Sequence, residues 1–346
     1  MPSPQLLGLL ALSCLPSVLS IPTSHYNWQN GTNVTTLELV PGTQSLENIA
    51  VQRNGNILVT SVASSTLFGL SSRGEHPPIP VAQVPVVTGL LGITELEKDI
   101  FYVIGSNLTS TENSNGVWRV DLRDFQVSWN STILQPASVS LVAQVPSALQ
   151  LNGMTRLSRN DTKNLLISDS SRGTIIRLDV DTGEYETVIK EPEMASLATG
   201  LGIGVNGIRI HNNDLYFVSL DQGIFARVPI SLASGVTIGP VETLASNITF
   251  GDDFALSDDG KQAYVATNGP HEVIGVDLVR GGKFVVASSP LLGSASSVAQ
   301  GLHDARKVLY VTGATSLGNS TIGHVSSISL ECKALAESLG SSALSQ

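Results

Sequence analysis

Glu47, Asn152, Asn206 and Asp252 are four oxygen-bearing side chains that occupy the same place in a recurring sequence pattern. Each is followed by a small or turn residue, then an apolar residue, and nine to thirteen positions on by a dense apolar run. Two further copies begin with Leu91 and Ser296. If the pattern is a structural repeat around an axis, the six leading side chains converge there. Two carboxylates meeting in such a place repel each other and lose hydration, which is costly unless a cation or hydrogen bonds compensate. Carboxylate and amide oxygens are the ligands a hard divalent ion takes, with waters filling the remaining positions. The residues leave two readings open: a Ca²⁺-type site, or a polar plug in which the asparagines satisfy the acids.

The elements that must hold these residues follow from the spacing. The apolar runs are Ile57–Val59, Ile100–Val103, Leu165–Ile167, Leu215–Val218, Ala263–Ala266 and Val308–Val311, and the leading residues are 44, 61, 54, 46 and 44 positions apart. Each copy reads as two short strands joined by a polar turn, such as Arg53-Asn54-Gly55 or Ser257-Asp258-Asp259-Gly260. A third strand follows, as at Thr174–Leu178 or Glu272–Asp277, then a weaker outer one, as at Thr187–Ile189. Four strands per repeat predict an all-β fold, a six-bladed β-propeller with four-stranded blades. A β-sandwich would not place a polar residue at the same strand start in most units. We expect one propeller domain over residues 21–346, closed by strands from 21–40 and from the segment after Gly323. A helical turn or two is expected only in Cys332–Leu339.

In a propeller the turns between second and third strands open on the face where the inner strands begin. Three titratable groups fall there by register, Asp169, Asp221 and His271. Each would touch a ligand in the substrate pocket or cap its own turn, the commoner fate of such residues. Other motifs are set aside. Gly202-Ile203-Gly204-Val205-Asn206-Gly207 fits a dinucleotide fingerprint but leads into a strand rather than a helix, and no organic cofactor is expected. Asp179-Val180-Asp181-Thr182-Gly183 lacks the terminal acid of an EF-hand loop. There is no zinc-protease helix motif and no GxSxG elbow.

Composition bounds the partners. The chain has 346 residues, 42% hydrophobic and 14% charged, with 32 glycines and 16 prolines, which excludes disorder and suits turn-rich β structure. A net charge of −10 with no Lys/Arg run argues against nucleic acid and anionic membranes as partners. Residues 1–20 carry no charged side chain and an apolar run, Leu6–Leu12, too short to span a bilayer. Val18 and Ser20 suit a signal-peptidase site, so a signal peptide 1–20 and a secreted, soluble mature chain are expected. Sequons at Asn30, Asn33, Asn107, Asn130, Asn160, Asn247 and Asn319 agree with a glycoprotein. Cys14 leaves with the signal, so Cys332 has no intrachain partner.

With these residues in place, the chain resembles the SMP-30/gluconolactonase/strictosidine-synthase superfamily of six-bladed propellers over roughly residues 35–330. Hydrolytic members hold a Ca²⁺-type ion with a Glu, two Asn and an Asp, which the resemblance places at Glu47, Asn152, Asn206 and Asp252. It also makes Asp252 the general base on a water. Sugar-lactonase relatives carry an Arg two residues before the first ligand Asn; here that pocket position is Gln150, which speaks against a sugar lactone. Phrases such as Leu46-Glu47-Asn48-Ile49-Ala50-Val51 and Gly251-Asp252-Asp253-Phe254-Ala255 are similar to secreted fungal propellers of this superfamily. A subset of these are hetero-Diels–Alderases that join a tropolone-derived o-quinone methide to a sesquiterpene. That resemblance implies a small apolar substrate, neutral pocket residues such as Leu91 and Ser296, and carbonyl polarisation by Asn152 and Asn206. The expected activities are then a cycloaddition first, a Ca²⁺-dependent lactonase second and a non-catalytic ligand-binding propeller third.

Overall fold

The second strands of blades 1 to 5 are buried along nearly their whole length, as at Ile57–Ser61, Ile100–Ser106, Asn164–Asp169 and Asp214–Ser219. Such runs have apolar side chains on both faces because both faces meet a neighbouring sheet. Outer strands read differently: Ser138–Gln144 and Tyr185–Ile189 are mostly exposed or half-exposed. In the computed structural model, which describes residues 33–108, 114–303 and 306–330, these strands form six four-stranded antiparallel sheets. The inner strands, Ile49–Val51, Gly89–Glu97, Leu151–Arg156, Val205–His211, Gly251–Leu256 and Ser297–His303, touch in a closed ring. The protein is a six-bladed β-propeller. Residues 1–20, Asn30 and Cys332 lie outside the described residues.

The ring closes through blade 6, where Val34–Val40 is the outer strand beside Ser320–Ser329. The two ends of the described chain therefore share one sheet. Between successive blades lie six apolar clusters, for example Ile104, Met154 and Ile167 between blades 2 and 3, and Leu46, Ile57 and Tyr310 between blades 6 and 1. Burial of this apolar surface is the dominant favourable term holding the blades together.

Uneven repeat spacing has local causes. The 61-residue step between Leu91 and Asn152 contains an extra hairpin, Gln126–Val127 with Ile133–Gln135, inserted before the outer strand of blade 2. The 54-residue step between Asn152 and Asn206 contains a 3₁₀ turn, Pro192–Met194, and the long connection that follows it. Neither insertion disturbs the inner strands.

Close approach of those strands explains the glycine that follows the leading residue in blades 2, 3 and 4. A Cβ added at Gly92 would lie 2.3 Å from the Asn152 carbonyl oxygen, and one at Gly153 would lie 2.4 Å from that of Asn206. In blades 2 to 5 the pairing also slips at the leading residue: the register breaks between Leu90 and Ile93, Leu151 and Met154, Val205 and Ile208, and Gly251 and Phe254. A β-bulge re-aims side chains, and here it sits where Leu91, Asn152, Asn206 and Asp252 depart from the sheet.

Candidate functional site

Hydroxyls on three second strands fix the leading residues. Thr60 Oγ1 accepts from Asn48 N at 2.9 Å and donates to Leu91 O, in the next blade, at 2.7 Å. Ser168 Oγ accepts from Gly153 N at 2.7 Å and donates to Asn206 O at 2.7 Å. Thr312 Oγ1 accepts from Ser297 N and donates to Glu47 O, linking blade 6 to blade 1. In each case one hydroxyl joins the backbone of one leading segment to the carbonyl of the next leading residue. The signal for them was present as a hydroxyl residue directly after the apolar run, in Ile57-Leu58-Val59-Thr60 and Leu165-Leu166-Ile167-Ser168.

At the axis Asn206 Nδ2 donates to Asp252 Oδ1 at 2.7 Å, and Asn268 Nδ2 approaches Asp252 Oδ2 at 3.3 Å. Asn268 comes from the turn between the second and third strands of blade 5 and was not among the residues singled out above. Asn152, Asn206 and Asp252 are all buried, while Glu47 is partly buried. Burial pushes Asp252 up to about 7, helped by the neighbouring Asp253, and the Asn268 and Asn206 amides oppose the rise. Burial likewise holds Glu47 well above the usual carboxylate range, with Asp252 and Asp253 adding repulsion and Ser296 opposing it. The two acids therefore meet a proton or a cation more readily than they coexist as free anions.

Whether a cation fits can be judged from the donors. The buried Oδ1 atoms of Asn152 and Asn206 have no hydrogen-bond partner. Uncommitted amide oxygens on the inner strands, with Asn206 held against Asp252 and two carboxyl groups of raised proton affinity, are of the donor types a hard ion takes. Among the described residues no group of three or more His, Cys, Asp or Glu collects as a metal cluster, so a site at the axis depends on the amides. Asp253, next in sequence, serves the framework instead: its Oδ2 accepts from Arg209 Nη2 and from Ser297 Oγ, each at 2.7 Å.

Several residues expected in a substrate pocket are engaged elsewhere. Asp169 accepts from Leu149 N at 2.9 Å and Gln150 N at 3.0 Å, and its carboxylate is fully buried. Asp221 accepts from the amides of Leu197, Leu201, Gly202 and Ile203 at 2.8–3.1 Å. Both acids anchor the connections that lead into blades 3 and 4, a capping role rather than a ligand contact. Leu91 is corrected: it is 1% exposed and packs in the core between blades 2 and 3, because its blade turns the side chain away from solvent. Ser296 is buried, with its hydroxyl toward Ser294 O at 3.3 Å. Gln150 is half-buried and its Oε1 accepts from Ser171 Oγ at 3.0 Å. His271 is exposed on the rim, in the left-handed region at φ 59°.

The same end of the molecule has an apolar margin. Connections into the inner strands and turns between second and third strands all lie where the leading residues begin. Val86, Leu149, Leu197, Leu201, Leu291 and Leu317 are exposed there.

Ring closure, six sheets and an axial oxygen-donor cluster define the class: a six-bladed propeller with a polar site at its hub. Its fold is shared with a luciferin-regenerating enzyme, at a TM-score of 0.58 and 14% identity over 86% of this chain and 95% of that one. It is shared also with the calcium-binding protein regucalcin of Agrobacterium tumefaciens, at 0.54 and 16% over 84% and 93%. No protein-family model matches the chain. In sequence it is 30% identical over 265 residues, 70% of this chain and 71% of the relative, to a Phoma sp protein named "Putative hetero-Diels-Alderase". A second protein of that name, from Sarocladium schorii, is 30% identical over 257 residues, 68% of this chain and 59% of the relative. The chain belongs to their family.

Proposed function

We propose that this protein catalyses an intermolecular hetero-Diels–Alder cycloaddition between a tropolone- or polyketide-derived o-quinone methide and a sesquiterpene. The kinship to two proteins named "Putative hetero-Diels-Alderase", over more than two thirds of the chain, carries this reading. In such a reaction the C=C–C=O unit and an alkene form one C–C and one C–O bond, three π bonds become one, and no atom leaves. Neither nucleophile nor proton shuttle is needed. Catalysis then consists of holding two partners in one orientation, where proximity supplies several kcal/mol, and of polarising the carbonyl. The hub amides of Asn152 and Asn206 are suited to the second task. The apolar face around them is suited to the first. On this reading the protein acts as an exported glycoprotein, cleaved after Ser20.

A second reading is a Ca²⁺-dependent lactonase, favoured by the uncommitted Oδ1 atoms of Asn152 and Asn206. Glu47, Asn152, Asn206 and Asp252 would hold the ion, which would supply Lewis acidity toward an ester carbonyl. Asp252 would take the proton of the attacking water. The experiment that separates the two incubates the protein with an o-quinone methide precursor and a cyclic sesquiterpene, and in parallel with a panel of lactones. Stereoselective adduct formed above background and retained in Asp252→Asn supports cycloaddition. Lactone turnover abolished by that substitution and by chelator, with no adduct above background, overturns it.

A further inference from the structure

Trp129 is 95% exposed, at the tip of the hairpin inserted in blade 2, whereas Trp118 of the same blade is buried in the core. A ring exposed this far offers its apolar face to any group held beside it. This hairpin lies at the end of the blade opposite the hub site, between its third and outer strands, so the proposed substrates do not reach it. What lies beside the ring is a sequon, Asn130-Ser131-Thr132.

The turn presents that sequon in a defined way. Ser131 N donates to Ser128 O at 3.0 Å, Ser128 N donates to Thr132 O at 2.8 Å, and Ser131 takes φ 64°. This is a type I turn closed by a left-handed residue, with Trp129 and Asn130 at its two corners. Ser128 Oγ donates to Asn130 Oδ1, which orients the amide. None of the hydrogen bonds described here uses Asn130 Nδ2, and the residue is exposed. By contrast Asn107 is half-buried and donates its Nδ2 to Val86 O at 3.3 Å.

We infer that Asn130 is an N-glycosylation site whose first N-acetylglucosamine packs on the indole of Trp129. In the modification Nδ2 loses one proton and bonds to the anomeric carbon of a lipid-diphosphate-linked oligosaccharide, and the lipid diphosphate leaves. The C–H face of the attached sugar then covers the ring one residue away, removing apolar surface of both from water. The inference rests on export, and its failure can be told apart from a failure of export.

The test uses the full chain secreted from a eukaryotic host, with peptide mass spectrometry for occupancy and endoglycosidase trimming to single N-acetylglucosamines. Asn130 should be occupied. Acrylamide quenching of tryptophan fluorescence should rise in Asn130→Gln, and Trp129→Ala should abolish that difference. Each single substitution should lower Tm by about 1–2 °C, and the double variant by no more than either. An empty Asn130 with glycan on Asn160 and Asn319 overturns this inference alone. So does an occupied Asn130 with unchanged quenching and additive Tm losses. Absence of glycan at every sequon overturns it together with export.

Discussion

Asp252 is a carboxyl group at which a proton and a cation would compete for the same oxygens. In the folded protein it titrates near 7, because it is buried and faces Asp253, against about 3.9 in an unfolded chain. A carboxyl raised on folding makes the native state bind more protons than the unfolded one between those values. Stability of the metal-free protein should therefore be greatest below about pH 4 as far as this group is concerned, and fall as pH rises toward 7. The loss is on the order of a few kcal/mol, and Glu47, raised by burial and by the same neighbours, contributes in the same direction. Melting curves in chelator from pH 4.5 to 8 should show the decline, and Asp252→Asn should flatten it. If Ca²⁺ binds, it must displace protons, so its stabilising effect should grow across the same pH window. A Ca²⁺-induced rise in Tm that is equal at both ends of the range would count against a site built on these acids.

At the scale of single strands, the inner ring tolerates no Cβ at certain points. Gly153→Ala would drive a methyl against the Asn206 carbonyl and the backbone of Gly207 and Ile208. Relief requires two inner strands to part, at a cost of about 2–4 kcal/mol. Ser168→Ala removes the hydroxyl that joins Gly153 N to Asn206 O. Leaving those buried groups unsatisfied should cost about 1–3 kcal/mol. Both changes act on the segments that present Asn152 and Asn206, so activity should fall more steeply than stability accounts for. Denaturant melts together with rate measurements at a temperature where each variant is fully folded check this. Equal activity per folded molecule would show that the hub geometry is not set by these strands.

For the whole molecule, the decisive features are ring closure and the contrast between hub and rim. Val34–Val40 closes blade 6 through pairing with the chain's last described strand. Removing residues 33–40 should expose the edge of Ser320–Ser329 and the apolar cluster it shares with blade 1, and a single calorimetric transition should become broad or multiple. The rim is expected to hold the apolar partner. Leu197 and Leu201 are exposed, yet their connection is pinned by four amides to the Asp221 carboxylate. Leu201→Lys should leave Tm nearly unchanged, as exposed substitutions do, while raising KM for a hydrocarbon partner by about tenfold, equivalent to ~1.4 kcal/mol of lost contact. An unchanged KM would place the partner elsewhere on the face.

What the sequence determined by itself was periodic. Apolar runs recurring with polar turns announce strands, and their number announces six blades, because alternation and turn chemistry are local properties of the chain. The same register placed Glu47, Asn152, Asn206 and Asp252 at equivalent points of their repeats, and the structure brings Asn206 into contact with Asp252. The fate of individual polar groups was decided only in three dimensions. Asp169 and Asp221 sit at rim positions in sequence, but whether a carboxylate faces a ligand or its own loop depends on which backbone amides lie within 3 Å, and those come from residues some 20 positions away. Leu91 shares the register of the hub residues, yet an apolar side chain at a bulge turns toward the inter-blade core, where it is removed from water. Asn268 reaches Asp252 across a turn whose length alone carries no sign of it. Periodicity is written in neighbours along the chain, whereas hydrogen-bond partnership is written in distances that only the closed ring creates.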